Sequence, residues 1–154
     1  MSAIRLMPLT ALLGAVMVLA IGTAPALAQE GSTIDFDVAN PSPGDTIHVG
    51  GNVIQGVAFD NAAESGTGIE AIDIFLGNRD QGGIIIGHGT YDLTTVSETD
   101  SGAMLVGMPD EPGMWNALVT VPSNKTGSNT LWFYAHSAIS GEELAISIPV
   151  TVAP

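Results

Sequence analysis

The sequence predicts an all-β fold, a Greek-key sandwich of seven to eight strands, and three observations lead to that prediction. Short apolar runs recur along the chain, and Gly, Pro, Asn and Asp separate them. Within the runs apolar and polar residues alternate, and no segment keeps the period of about 3.6 residues that marks an amphipathic helix. The chain has 154 residues, 45% of them hydrophobic, which suits one domain with its own core.

Residues 1–28 precede this domain and are predicted to be a secretory signal peptide. Arg5 is their only charge, an apolar run follows it, and Ala26 and Ala28 are the small residues that a signal peptidase recognises. Cleavage there leaves residues 29–154 as a secreted or cell-surface domain. The alternative is a retained anchor, because the apolar part of the segment is just long enough to span a bilayer. No later apolar run is long enough for a membrane span, so none is expected after cleavage.

Alternation and turn residues define the first four predicted strands. The first, residues 33–38, ends at a turn that is rich in Pro and Gly. The second, residues 46–60, is long and is expected to bend or bulge at Gly50. The third, residues 70–76, alternates cleanly, and the fourth, residues 84–91, follows a turn that contains two glycines.

The second half of the chain predicts up to four more strands. Residues 103–108 form a weak, short one, and residues 115–121 and 130–137 form two that alternate well. The cleanest pattern lies in the last strand, residues 144–152. Pro149 cannot donate a ladder hydrogen bond, so this strand is expected at or near a sheet edge there. The number and spacing of the strands fit a sandwich of immunoglobulin type.

Several segments resemble bacterial Ig-like domains of secreted and cell-surface proteins. The resemblance is carried by residues 56–60 (GVAFD), 68–76 (GIEAIDIFL), 79–83 (RDQGG), 129–137 (NTLWFYAHS) and 149–152 (PVTV). It covers roughly residues 38–153 and implies an immunoglobulin-like Greek-key β-sandwich. It also implies a role as a spacer, an adhesion module or a ligand-binding module, because these motifs are structural and host several functions.

Composition and motifs exclude several classes of function. The chain has 16 Asp and Glu against 3 Lys and Arg, so a nucleic-acid partner is not expected. It has no Cys, which rules out a thiol nucleophile, a disulfide framework and a cysteine metal site. It also lacks the short motifs of serine hydrolases, zinc proteases, phosphate-binding loops and dinucleotide sites. We therefore expect no enzymatic activity.

Metal binding is the less favoured alternative. The three histidines lie on three different predicted strands: His48, His88 and His136. Three methionines lie close together in sequence and would suit copper with imidazole, although they also suit core packing: Met104, Met108 and Met114. Acidic loop residues favour calcium over copper: Asp60, Glu64, Asp80, Glu98, Asp100, Asp110 and Glu111. A solvated acidic surface explains them better than a calcium site does, so we expect no cofactor, with calcium as the alternative.

An outward-facing aromatic surface is the candidate binding site. The alternation that directs Leu131 and Phe133 to the core directs every second residue of that strand outward. In an immunoglobulin-like sandwich the third strand lies beside this one, which adds a fourth side chain. The candidate residues are Phe75, Trp132, Tyr134 and His136. Exposed aromatic patches mark contact sites, unless the loop of residues 92–102 covers this one.

The sequence therefore predicts a secreted, acidic, non-catalytic binding or adhesion module. Its expected partner is an extracellular protein or a polysaccharide, because Tyr and Trp dominate protein contact sites and also stack on sugar rings. A structural, self-assembling component of the envelope or matrix is the first alternative. A calcium- or copper-binding protein is the second.

Overall fold

The computed structural model describes residues 31–91 and 113–154, and these form two β-sheets. The strands are β1 (Ile34–Asn40), β2 (Thr46–His48), β3 (Gly50–Asp60), β4 (Ile69–Leu76), β5 (Ile84–His88), β6 (Met114–Val121), β7 (Gly127–Ser137) and β8 (Glu143–Ala153). A short 3-10 turn, Arg79–Gln81, joins β4 to β5. Within these two ranges no helix has the length and apolar character to cross a membrane. The predicted all-β architecture is confirmed.

The two sheets face each other, and the chain crosses from one to the other several times. One sheet has the order β1-β3-β6, and the other has the order β2-β8-β7-β4-β5. Among the described strands, β2 and β8 pair in parallel and the other pairs are antiparallel. The third predicted strand, now β4, lies directly beside β7, as the position of the aromatic surface requires.

The predicted second strand, residues 46–60, is wrong as a single element. It is two strands, β2 and β3, and they belong to different sheets. The chain crosses between the sheets at Gly50, whose φ of 88° is a conformation that a residue with a Cβ rarely adopts. The glycine that suggested a bulge is therefore the first residue of β3, after β2 has ended at His48. The predicted strand at residues 103–108 lies outside the described residues.

The last strand, β8, is flanked on both sides only near its C-terminal end. β8 pairs with β7 along its length, while β2 pairs only with Thr151, Val152 and Ala153. Pro149 lies just before that pairing begins, and its carbonyl accepts a hydrogen bond from the Gly44 N–H at 2.7 Å. The prediction of an edge near Pro149 is thus confirmed, because the proline sits where the neighbouring strand β2 starts.

The core lies between the sheets and confirms the predicted facing of the strands. Trp115 and Phe133 are 1% and 0% exposed, and their ring centroids are 6.2 Å apart. Ile146 of β8 faces the same way and packs against the core, half-buried. Gly56 is required beside Trp115, since a Cβ there would lie 2.8 Å from the indole and 2.2 Å from the Asp37 carbonyl oxygen.

Candidate functional site

Strand register gathers the four candidate residues on the outer face of the five-stranded sheet. Phe75 of β4 pairs with Trp132 of β7, and Tyr134 follows two residues later on the same face. His136 comes next along β7, opposite Glu143 of β8. Side chains on neighbouring strands of one face are within contact distance, so the sheet itself places these groups together.

Three of the four residues form an aromatic cluster, Phe75, Trp132 and Tyr134. The Phe75 and Tyr134 rings meet edge to face, with centroids 5.6 Å apart and an interplanar angle of 86°. The Trp132 and Tyr134 rings are nearly parallel at 17°, with centroids 6.2 Å apart. Such pairs contribute about 0.5–1.5 kcal/mol each beyond the area they bury. The cluster is therefore held by its own ring contacts.

Tyr134 is buried, which corrects the expectation that it is exposed. Its side chain is 4% accessible, although it points away from the core between the sheets. The Arg79 guanidinium carbon lies 4.0 Å above the ring centroid, and the backbone N–H of Arg79 donates to the Tyr134 hydroxyl at 3.4 Å. A cation over an aromatic face is attracted by the ring quadrupole. Trp132 and Phe75 remain half-buried.

Arg79 is fixed over Tyr134 by a carboxylate on the far side of β7. Its two terminal guanidinium nitrogens both donate to Glu143 of β8, with Nη1 at 2.7 Å from Oε2. These hydrogen bonds raise the pKa of Arg79 above its usual range. Bidentate pairs of this kind have defined geometry as well as favourable energy. The Arg79–Glu143 ion pair thus connects the turn after β4 to β8.

Arg79 and Glu143 were not predicted from the sequence as parts of this surface. The sequence gives one hint of the role of Arg79. Basic residues are rare in this chain, which has three Lys and Arg in all, and Arg79 follows the strand that carries Phe75. Its partner could not be identified from spacing, since the two are 64 residues apart.

His136 lies at the end of the surface and makes no ring contact with the aromatic cluster among the interactions seen in the described ranges. Its Nε2 is 3.5 Å from Glu70 Oε1, and its Nδ1 is 3.8 Å from Glu143 Oε2. On the same face of β4 and β5, the Asp73 carboxylate lies 2.7 Å from His88 Nδ1. Polar pairs therefore border the aromatic cluster and give the surface an apolar centre with a polar rim.

The centre of the surface continues to the outermost strand. Ile85 of β5 pairs with Phe75, which pairs in turn with Trp132, so the three form an apolar row across three strands. Ile85 is 48% exposed. On the other side of Trp132 lies Ser147 of β8, whose short side chain cannot cover the indole. The row is therefore accessible at both ends.

The proposed metal ligands are engaged in other contacts or lie apart. The Asp60 carboxylate is 3% exposed and accepts hydrogen bonds from the Ser137 hydroxyl and from the Ala62 N–H at 2.8 Å. These bonds, the Ser137 bond foremost, lower the pKa of Asp60. Glu64 in the same loop is exposed. Asp60 therefore acts as a buried link between β3 and β7.

The remaining metal candidates do not converge in the described part of the chain. His48 contacts the Pro154 carbonyl oxygen at 3.2 Å, while His88 and His136 have the separate acidic neighbours described above. The Asp80 N–H bonds to the Asn78 side chain. Residues 31–91 and 113–154 contain no group of three or more His, Asp or Glu close enough to hold a metal ion. Met104, Met108, Glu98, Asp100, Asp110 and Glu111 lie outside these ranges, as does the loop of residues 92–102.

Comparisons with known proteins identify no family for this chain. No protein-family model matches the chain, and no curated protein is significantly similar to it. One solved structure that it resembles is described as "Structural basis of T cell specificity and activation by the bacterial superantigen toxic shock syndrome toxin-1". The match covers 80% of this chain and 100% of that one, at 14% identity and a TM-score of 0.40. A likeness this distant carries no argument about function.

Proposed function

We propose that the protein is an exported, non-catalytic binding module that contacts its ligand through the outer face of its five-stranded sheet. We further propose that its sandwich is immunoglobulin-like. The strand order supports this, because β4 and β7 lie side by side in one sheet while β3 and β6 lie side by side in the other. That partition matches the C–F and B–E pairs of immunoglobulin sandwiches. It agrees with the motifs that resemble bacterial Ig-like domains.

The observation that carries the proposal is the apolar row of Ile85, Phe75 and Trp132. It lies on three hydrogen-bonded strands, and the Tyr134 ring supports it from the side. Aromatic side chains that are already held in place lose little rotational freedom when a ligand binds. Tryptophan is among the residue types that most often dominate the free energy of binding at a contact surface.

The charge of the molecule narrows the class of ligand. The formal charge is -13, and Arg79, a cation on this face, is already paired with Glu143. An anionic ligand would meet a surface whose positive charge is neutralised. An extracellular protein surface or a neutral polysaccharide fits better, because either can cover the row and bond to its polar rim.

Export is tested on the protein isolated from outside the cytoplasm. We expect intact-mass analysis to give a chain that begins at Gln29, because Ala26 and Ala28 form the cleavage signal. Recovery of the full 154-residue chain from the membrane fraction would instead support the retained anchor.

Binding is tested with Trp132→Ala and a matched control. The probes are insoluble cellulose, chitin and peptidoglycan, and envelope proteins extracted from the producing cells. Ile139→Ala is the control, since Ile139 is an exposed apolar residue, 53% accessible, on the turn between β7 and β8. We expect wild type and Ile139→Ala to be retained on the same probe and Trp132→Ala to lose at least about tenfold in affinity.

Thermal denaturation of both variants must accompany the binding assay, so that loss of binding is not confused with loss of fold. If Trp132→Ala stays folded and binds the probe with wild-type affinity, the apolar row is not the contact surface. If the wild type binds none of the probes, the tested polysaccharides and envelope proteins are both excluded as ligands.

A further inference from the structure

Three neighbouring strands of the five-stranded sheet, β2, β8 and β7, are almost free of charged residues. β2 and β7 contain no Asp, Glu, Lys or Arg, and β8 contains only Glu143, its first residue. The chain as a whole has 16 acidic residues, and β1 of the other sheet exposes Asp35 and Asp37. Beyond Glu143, the outer face of these three strands is therefore an uncharged area on a strongly acidic molecule, and it adjoins Trp132 of the apolar row.

This uncharged area carries a strip of hydroxyl groups. Strand register aligns Thr46 of β2 with Thr151 of β8, and Thr151 with Ser128 of β7. At the other end of the strip, Ser147 of β8 pairs with Trp132. From Ser128 to Trp132 the strip extends about 13 Å along β7, because a strand rises about 3.3 Å per residue. The hydroxyl strip consists of the outward Ser and Thr residues of this area: Thr46, Ser128, Thr130, Ser147 and Thr151.

The hydroxyls of the strip are free to bond to a ligand. Four of the five residues are exposed, and Thr130 is half-buried. Within residues 31–91 and 113–154, no side-chain hydrogen bond involves these hydroxyls, whereas the Ser137 hydroxyl on the inward face of β7 donates to Asp60. A hydrated hydroxyl of this kind can exchange its water for a ligand group without breaking a hydrogen bond inside the protein.

We infer that the ligand of this face is a neutral polysaccharide, which stacks one sugar ring on Trp132 and continues along the hydroxyl strip. A sugar ring has an apolar face of C–H groups and a rim of hydroxyls. The indole of Trp132 fits the apolar face, and Ser and Thr hydroxyls both donate and accept hydrogen bonds, as the rim requires. The inference rests on the proposed function, because Trp132 is the contact residue in both, and it narrows the ligand to one class.

A protein ligand fits the same area less well. Ser and Ala are depleted in contacts between proteins, and Ser and Thr seldom dominate the free energy of binding there. The exposed residues of β8 on this face are of that short kind, namely Ala145, Ser147 and Thr151. An anionic polysaccharide fits less well too, because it would meet an acidic molecule whose Arg79 is already paired with Glu143.

Retention on insoluble cellulose, chitin, mannan and starch tests the inference. We expect the exported wild type to be retained by at least one of these neutral polymers. Its affinity should change less than about twofold between about 0.05 M and about 0.5 M NaCl, because a neutral ligand forms no ion pairs. Retention on none of the four polymers would overturn the inference, as would an affinity that falls tenfold or more with salt.

Threonine-to-valine changes separate the hydroxyl strip from the apolar row. The double change Thr130→Val with Thr151→Val removes two hydroxyls and keeps the β-branched shape that suits a strand. We expect this variant to lose at least about fivefold in affinity for the retaining polymer, because each hydroxyl contributes a hydrogen bond. Thr120→Val makes the same change at an exposed position of β6 in the other sheet and should bind like wild type. Thermal denaturation of each variant confirms that it is folded.

The variants also separate failure of this inference from failure of the proposed function. Weaker binding by Trp132→Ala and by the double threonine variant, with Thr120→Val unchanged, supports the inference. If only Trp132→Ala binds less, the hydroxyl strip is not used, and the inference fails while the proposed function stands. The same holds if the wild type binds envelope proteins through Trp132 and none of the four polymers. Unchanged polymer binding by a folded Trp132→Ala refutes both.

Discussion

Truncation of Tyr134 to alanine tests the arrangement of the aromatic cluster most directly. Its ring points away from the core, yet it is only 4% exposed, because Arg79, Phe75 and Trp132 surround it. Tyr134→Ala removes the ring on which the three others converge. The variant should therefore behave like the truncation of a core residue although its position is on an outer face.

The expected loss follows from the contacts. Removing a fully buried large aromatic ring costs about 3–5 kcal/mol in the free energy of unfolding. The Arg79 side chain can collapse into part of the space, which places Tyr134→Ala near the lower end, about 3 kcal/mol. With a urea dependence of about 2 kcal/mol per molar, the unfolding midpoint should fall by about 1.5 M.

Urea unfolding followed by circular dichroism measures this shift. Tyr134→Phe is the matched control, since it keeps the ring and removes only the hydroxyl that accepts a hydrogen bond from the backbone N–H of Arg79 at 3.4 Å. That long hydrogen bond should be worth about 0.5–1 kcal/mol. If Tyr134→Ala lowers the free energy of unfolding by less than about 1 kcal/mol, Arg79 does not cover the ring in solution. Tyr134 would then be exposed, as the alternation of β7 predicts.

Two further outcomes follow from the core and from the buried carboxylate. Phe133→Ala should lower the free energy of unfolding by about 3–5 kcal/mol, and a loss below about 1 kcal/mol would mean that the faces of β7 are reversed. The Ser137 hydrogen bond lowers the pKa of Asp60 below 3.8, so its stabilising effect is complete above that pH and is lost as the pH falls through the folded-state value. Asp60→Asn should flatten this acid dependence in urea titrations between about pH 2 and about pH 6; an unchanged slope would contradict the assignment.

Much of the fold could be predicted because each strand buries one face. In β7 the alternation placed Phe133 and Leu131 inward and Trp132 outward, and their burial agrees. A shift of one residue would reverse every side chain, so the pattern fixes the facing strongly. The adjacency of Phe75 and Trp132 followed from the same alternation together with the order of strands in a sandwich.

The parts that could not be predicted depend on contacts between distant residues. Residues 46–60 show continuous strand-like character, and nothing in that pattern says that the chain changes sheets at Gly50. The burial of Tyr134 depends on Arg79 and Glu143, 64 residues apart, which meet only after β4, β7 and β8 have paired. Periodicity reports the direction in which a side chain points, and it does not report what lies above it.

This distinction changes how the candidate surface must be tested. Tyr134 and Trp132 are neighbours on one face, but Tyr134 is enclosed and Trp132 is accessible beside the short side chain of Ser147. Truncating both at once would unfold part of the face and remove the contact residue together, so lost binding would have two explanations. Single variants separate them: Tyr134→Ala should lower stability, whereas Trp132→Ala should lower binding in a protein that stays folded. The two residues then have different roles, Tyr134 as the support of the apolar row and Trp132 as the part of it that a ligand contacts.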